Sequence, residues 1–273
     1  MKKKGLFSPF ALFVYIVILM ALIAYIFEPT SSSTEEHKMT PPPTKTKQAT
    51  IEKDELSFVV DQGKKKEDLS EADFDERLSK VGAKVGDKIF IRIFKNESLL
   101  EVWIKPDHEY VLFKRYPICK YSGYLGPKLK EGDRQSPEGF YKVTKRLLNP
   151  NSKYHLAFNL GYPNAYDKAH KRTGSYLMVH GECVSIGCYA MTNGKIEEIY
   201  KLVDKALRKG QKYVQVHAYP FYMTSENMAE YQDSKWFDFW SELKEGYDYF
   251  EAEKLPPLIK VKNKHYTIHE ANE

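Results

Sequence analysis

The sequence predicts an α+β domain that is mostly β, with a helical extension at its C-terminus. Short apolar runs rich in β-branched and aromatic residues, bounded by turn residues, recur between positions 88 and 217. Two other segments repeat their apolar residues at the spacing of a helix. The chain has 273 residues, of which 42% are hydrophobic and 29% charged. It is therefore long enough to bury a core and is not composed like a disordered protein.

The predicted elements follow in order along the chain. Residues 69–81 have the apolar spacing of a short amphipathic helix. Apolar runs at 88–94 and 99–104, separated by four turn residues, predict a hairpin, and 110–116 predicts a third strand. Glycine, proline and charge at 126–139 predict a long loop. Further strands are expected at 140–143, 176–180 and 213–217.

Two helices are predicted in the second half of the chain. Residues 195–209 carry apolar side chains at helical spacing, and Gly210 stands where a C-terminal cap belongs. Near the C-terminus, one helix face collects Trp236, Trp240, Leu243 and Tyr247. We interpret this face as core packing rather than a ligand site.

The N-terminus predicts export. Lys2, Lys3 and Lys4 precede a charge-free stretch of 23 residues, of which 10–27 are all apolar. A bilayer needs roughly 20 such residues, and lysines in front favour a cytoplasmic N-terminus. We expect residues 1–27 to be an uncleaved membrane anchor, with a cleaved signal peptide as the alternative. Residues 28–68, rich in Pro, Ser, Thr and Lys, are expected to be a flexible tether.

Charge and cysteine content narrow the possible partners. Three of the five net positive charges belong to Lys2, Lys3 and Lys4, so the exported part is close to neutral and nothing requires nucleic acid. Three cysteines exclude a disulfide-dense scaffold, and their odd number leaves at least one thiol without a partner in the chain.

The run HGECVSIGC, from His180 to Cys188, carries the chemistry. A cysteine thiol has a pKa of about 8.5, which a neighbouring imidazolium lowers, and the thiolate attacks carbonyl groups. We expect Cys188 to be the nucleophile and His180 its base and acid. The alternative is a buried cysteine and a core histidine, which spacing alone does not exclude. Gly187 permits a sharp turn whose amides could hold an oxyanion, with Ser185 supporting the turn.

Other residues are weaker candidates. Arg134 could pair with a substrate carboxylate, or be an ordinary loop arginine. His217 alternates with Val214 and Val216, so it is expected to line the cleft or to meet solvent. A zinc site built from His180, Cys183, Cys188 and His217 is an alternative, although its spacing is irregular. For Cys119 and Cys183 we expect packing rather than a disulfide.

The same run resembles the signature of the L,D-transpeptidase (YkuD-type) catalytic domain family. The string HGECVSIGCYAMTNGKIEEIY is similar to its YafK-like branch, as are three further strings: GPKLKEGDRQSPEGFYKV (126–143), FNLGYPNAYDKAHKRTGSYLMVHG (158–181) and VQVHAYPFYMT (214–224). The resemblance covers roughly residues 78–268. Ile186 and Tyr189 depart from the broad family, which often has a polar residue and arginine there.

The resemblance implies a sandwich- or barrel-like catalytic domain at 69–225, with a helical extension at 226–273 packed on it. It implies a periplasmic enzyme, anchored in a bacterial inner membrane, that acts on peptidoglycan stem peptides without a cofactor. Cys188 would attack the L-centre carbonyl of meso-diaminopimelate, and the acyl group would pass to an amine or to water. In this branch the resemblance points toward hydrolysis, including release of wall-bound lipoprotein. The rival is a catalytically idle peptidoglycan-binding module.

Overall fold

The first two strands predicted as apolar runs, at 88–94 and 99–104, are covered on both faces. The computed structural model describes residues 71–271. In β1 (Lys88–Phe94), Ile91 and Ile93 enter one core, while Phe90 and Phe94 pack on the opposite face. Two-sided burial explains why β1 is a continuous apolar run rather than an alternating one.

Ten further strands and five α-helices, with a short 3-10 helix at Lys145–Leu147, make up the rest of this region. In chain order they are α1 (Glu71–Lys80), β2 (Leu99–Lys105), β3 (Val111–Pro117), β4 (Gly139–Val143), β5 (Leu148–Ser152), β6 (His155–Asn159), α2 (Ala165–Ala169), β7 (Met178–His180), β8 (Tyr189–Ala190), α3 (Asn193–Arg208), β9 (Val214–Tyr219), α4 (Ser225–Glu230), α5 (Phe237–Glu253), β10 (Leu258–Lys262) and β11 (His265–His269).

Two sheets share the main core. The five-stranded sheet has the order β3-β2-β1-β9-β4, and the four-stranded sheet has the order β5-β6-β7-β8. Pairing is antiparallel except between β1 and β9 and between β7 and β8. The apolar face of α3 is buried in the same core as the inner faces of both sheets. The α+β, mostly β fold class is confirmed.

The C-terminal residues cover the other face of the larger sheet. Trp240, Leu243 and Tyr247 of α5 are buried, and Trp236, just before the helix, is half-buried against the same core, which agrees with the interpretation of this face as core packing. The chain then forms the hairpin β10–β11, whose Tyr266 ring lies 4.7 Å from that of Phe140 on β4. The sequence predicts only a helix in this part of the chain, so the hairpin differs from the prediction.

The strand expected at 176–180 begins only at Met178. Tyr176 has a φ of 55°, a left-handed conformation that a strand cannot accommodate. The predicted anchor (1–27) and tether (28–68) lie outside the described residues. Between residues 71 and 271, no helix is long and apolar enough to cross a membrane.

Candidate active site

Strands β7 and β8 bring the segments that carry His180 and Cys188 next to each other. His180 ends β7 and pairs with Ala190 of β8 in a parallel register. Cys188 lies at a bend directly before β8, two residues ahead of Ala190. Neighbouring strands of a sheet lie about 4.8 Å apart, so the end of one strand and the start of the other hold the two residues in the same part of the sheet.

The Cys188 thiol is half-buried and is not in a disulfide. It donates to the Tyr176 carbonyl oxygen, which lies 3.6 Å from Sγ. Burial raises the pKa of the Cys188 thiol, and the Met178 amide and the Lys128 ammonium offset only part of this effect. The resting group is therefore a thiol at neutral pH. His180 is not among the groups that lower the pKa of this thiol in the resting state.

His180 is buried, and its ring is held on two sides. Its Nδ1 lies 2.6 Å from the Gly181 carbonyl oxygen, and the Tyr154 ring stacks on it at 4.7 Å. Because a carbonyl only accepts, Nδ1 carries the proton and the Nε2 lone pair is left as a base. Burial lowers the pKa of His180, although the Gly181 carbonyl and the Glu182 carboxylate oppose the shift. The ring is therefore neutral at neutral pH.

Three serines fix the backbone at the cysteine. Ser185 Oγ donates to the Cys188 carbonyl at 2.7 Å and accepts from the Gly187 amide at 3.2 Å. Ser136 Oγ donates to the same carbonyl at 3.1 Å and accepts from the Ser122 amide at 3.1 Å. Ser185 thus bonds the backbone on both sides of the Gly187–Cys188 peptide, and its supporting role in the reaction stays a prediction.

Gly187 occupies a position that tolerates no side chain. Its φ is 147°, and an added Cβ would lie 3.0 Å from Leu177 Cδ1. Its amide is bonded to Ser185 in this structure, so an oxyanion there would have to displace that hydroxyl. The oxyanion role of Gly187 stays a prediction.

The structure separates the two expected substrate-binding residues. Arg134 is exposed in the loop before β4, next to Gln135, whose carbonyl oxygen lies 3.7 Å from the Cβ position of Gly187. Arg134 is therefore one residue away from a backbone contact with the cysteine segment, and its role in substrate binding stays a prediction. His217 does not line a cleft or meet solvent. It is fully buried, with its ring 4.7 Å from Phe90 and 4.5 Å from Phe140.

The sequence-based expectation that His217 lines a cleft or meets solvent is wrong because its strand is covered on both faces. The alternation with Val214 and Val216 is real, but the face it points to is a second core rather than a cleft. Burial lowers the pKa of His217 well below its usual value, and the cations of Arg92 and Lys142 add to this. A neutral, enclosed imidazole is a core residue and cannot touch a substrate in this structure.

Cys119 and Cys183 form a disulfide, so the expectation of simple packing is wrong. Their Cα atoms lie 5.4 Å apart, within the range that a disulfide bridges. The segment after β3 and β8 are neighbours, since the Cys119 amide donates to the Ala190 carbonyl, and this brings Cys119 to the loop that carries Cys183. The disulfide ties that loop, between His180 and Cys188, to the larger sheet.

Two of the four residues of the alternative zinc site are not available as ligands. The Cys183 sulfur is bonded to Cys119, and His217 lies in a different core. Within residues 71–271, no cluster of histidine, cysteine and carboxylate side chains has the geometry to hold a metal ion.

Sequence reasoning missed several residues at the site. Ser122, Ser136 and Tyr154 give no local signal, because their contacts to the cysteine and histidine segments cross between distant parts of the chain. The Gly181 carbonyl, which can orient the histidine, is a backbone group and leaves no trace in the sequence.

Comparison with known proteins identifies the domain. Residues 89–214 match the model of the YkuD family, the L,D-transpeptidase catalytic domain. The chain is 52% identical over 184 residues to the candidate L,D-transpeptidase YafK of Escherichia coli K12, covering 67% of this chain and 75% of YafK. The same figures hold for YafK of Escherichia coli O157:H7.

Two solved structures are also similar. The helical cell shape determining protein Pgp2 from Campylobacter jejuni has a TM-score of 0.39 and 21% identity, covering 70% of this chain and 80% of Pgp2. Bd1075 of Bdellovibrio bacteriovorus has a TM-score of 0.38 and 21% identity, covering 62% and 61%. From the family match and the identity to YafK it follows that the chain belongs to the YkuD-type L,D-transpeptidase family.

Proposed function

We propose that this cell-wall enzyme uses the Cys188 thiol and the His180 imidazole for acyl transfer on peptidoglycan stem peptides. One observation carries the proposal. A free, half-buried cysteine directly precedes β8, and a histidine with its Nε2 lone pair available ends the neighbouring strand β7. This arrangement supplies a nucleophile, a base and an orienting group for the base.

The neutral resting pair favours general-base activation. His180 Nε2 takes the proton from Cys188 Sγ as the sulfur attacks the L-centre carbonyl of meso-diaminopimelate. The tetrahedral oxyanion collapses, and the imidazolium protonates the departing amine. An amine or water then attacks the thioester and gives its proton to His180. The Cys188 thiolate leaves and takes this proton from the imidazolium. An amine acceptor gives a cross-link, and water gives hydrolysis, including release of wall-bound lipoprotein.

Digestion of sacculi tests this function. Purified full-length protein is incubated with sacculi that carry or lack attached lipoprotein, and the muropeptides are identified by mass. Cys188→Ser, which keeps nearly the same side-chain size, is the matched control. We expect new muropeptides with the wild-type protein only, and their mass identifies the acceptor. Unchanged muropeptides, with bound wild-type protein, would favour the idle binding module instead.

We also propose that the domain faces the periplasm from a single-pass inner-membrane anchor, with the N-terminus in the cytoplasm. Lys2, Lys3 and Lys4 before the apolar stretch support this orientation, and an exposed disulfide suits an oxidising compartment. Protease added to spheroplasts reaches the periplasmic face of the inner membrane and should therefore degrade the domain. Protection equal to that of a cytoplasmic marker would contradict the proposal.

A further inference from the structure

A buried lysine lies behind the cysteine segment. Lys95 follows β1 directly, and its side chain has no exposed surface. Its Nζ donates to three backbone carbonyls, those of Tyr124 at 2.7 Å, Gly126 at 3.0 Å and Ser136 at 3.2 Å. It also pairs with Glu138 Oε1 at 3.0 Å. One ammonium group thus holds two separate parts of the loop between β3 and β4, one at Tyr124 and Gly126 and the other at Ser136.

The partner carboxylate extends this network to the C-terminal helix. Glu138 is equally buried, and its Oε1 also accepts from the Gly126 amide at 2.7 Å. Its Oε2 accepts from the indole Nε1 of Trp240 on α5 at 2.8 Å. A charge removed from water is tolerated when it is paired and its remaining sites are hydrogen-bonded, as both charges are here. Burial lowers the pKa of Lys95, and Glu138 opposes the shift.

The loop that this pair holds touches the cysteine segment directly. Ser136 Oγ donates to the Cys188 carbonyl, and the Tyr189 hydroxyl donates to the Pro137 carbonyl at 2.6 Å. The Gln135 carbonyl lies against Gly187. The backbone of Cys188 therefore rests on residues whose own positions are fixed by Lys95 and Glu138.

We propose that the Lys95–Glu138 pair, completed by the Trp240 indole, positions the Cys188 thiol for attack and makes the C-terminal extension part of the active-site support. The inference rests on the proposed role of Cys188 as the nucleophile. Lys95, Glu138 and Trp240 touch no substrate and are positioning residues. Because acyl transfer is sensitive to small misplacements, loss of this support should affect the chemical step more than substrate binding.

Three single variants test the network, each compared with a matched control. Lys95→Met, Glu138→Gln and Trp240→Phe each remove part of the network. Arg92→Met is the control, because Arg92 also forms a buried ion pair in the same sheet and contacts α5 through Glu251. Circular dichroism and melting temperature show which variants are folded.

The first readout is turnover of a soluble stem peptide. We expect kcat to fall roughly ten- to a hundred-fold in the three network variants, with KM little changed. Arg92→Met should lose stability without this fall in kcat. A fall in kcat that only matches that of Arg92→Met, or a rise in KM alone, would overturn the proposal.

The second readout is independent of turnover. Iodoacetamide reports on Cys188 alone among the three cysteines, since the other two form a disulfide. We expect the pH profile of alkylation to shift in the network variants but not in Arg92→Met. This shift can be measured even if the wild-type protein does not turn over peptidoglycan. Failure of the proposed function and failure of the positioning role therefore give different results. Identical profiles in all variants would contradict the proposal.

A double variant separates positioning from folding. Lys95→Met combined with Glu138→Leu replaces the ion pair with apolar side chains, an exchange that often preserves stability. It does not restore the bonds to the loop carbonyls. We expect a folded protein that keeps the kcat defect and the altered alkylation profile. A folded double variant with wild-type kcat and profile would exclude a positioning role.

Discussion

At the scale of single residues, the central feature is a cysteine–histidine pair that is neutral at rest. Burial favours the uncharged form of both groups, which raises the pKa of Cys188 and lowers that of His180. In the proposed mechanism, proton transfer must then accompany attack on the substrate. A pre-formed thiolate–imidazolium pair would not need this coupling. The resting protonation state therefore distinguishes the two mechanisms.

Alkylation of Cys188 measures that state. We expect the free enzyme to react with iodoacetamide more slowly than a small free thiol at pH 7, with a midpoint on the alkaline side of an ordinary cysteine. The measurement is the second-order rate constant from pH 6 to 10, with Cys188→Ala as the blank. A rate above that of the free thiol at pH 7 would indicate a thiolate–imidazolium pair instead.

His217 should make stability depend on pH. Its pKa in the folded protein is well below that of the unfolded chain, so the unfolded state binds more protons in weak acid. Its contribution is therefore present above the unfolded pKa and is lost as pH falls below that value, with a slope of up to about 1.4 kcal/mol per pH unit. His180 contributes in the same direction.

Denaturant titrations between pH 7 and 5 check this expectation. His217→Gln retains a polar group near the Tyr219 hydroxyl but does not titrate. We expect the free energy of unfolding to fall less steeply with acid in this variant than in the wild-type protein. Equal slopes would show that His217 is not held neutral.

At the scale of elements, the disulfide and the loop before β4 hold the cysteine segment from two sides. Cys183 joins it to Cys119, and Ser136 holds the Cys188 carbonyl. Only strand pairing makes these contacts possible, since Cys119 and Cys183 are 64 residues apart in sequence. This long-range pairing explains why the sequence analysis favoured packing for these two cysteines.

Removal of the disulfide should cost stability and activity. Closing a loop of this length is worth about 4 kcal/mol in the chain-entropy description, and measured values are often smaller. We expect Cys119→Ala/Cys183→Ala to unfold at lower denaturant and to turn over more slowly, because the segment before Cys188 loses a tether. Wild-type protein in reductant should behave like the variant. An unchanged unfolding midpoint in reductant would contradict this expectation.

Elements with strong apolar patterns were predictable and the polar ones were not. The boundaries of β1 and α3, to within two residues, and the buried face of α5 follow from apolar spacing. In contrast, β5 contains a proline and is partly exposed, and β8 has only two residues, so neither carries a pattern. The hairpin β10–β11 does carry apolar residues, among them Ile259, Val261 and Ile268, which the sequence-based prediction of a helical extension leaves out. Its Tyr266 is buried against Phe140 of β4.

At the scale of the whole molecule, a two-sided sheet separates chemistry from support. The core shared with the smaller sheet contains Val179 and Tyr189, the chain neighbours of His180 and Cys188. The helix α5 covers the opposite face of the larger sheet and contacts Glu138 through Trp240. The fold class predicted from sequence is confirmed, and the Cys188–His180 pair stays a prediction. Sequence could not predict that His217 is enclosed, since alternation shows which residues share a face but not what covers that face.

The most direct test of the account is the mass of Cys188 during turnover. Full-length protein is mixed with soluble stem peptides, quenched in acid, digested and mapped by mass spectrometry, with Cys188→Ser treated identically. The account predicts that the Cys188 peptide gains the mass of the acyl portion of the stem peptide as a thioester that hydroxylamine removes. Product formation with an unmodified Cys188 peptide, or by Cys188→Ser at the wild-type rate, would contradict it.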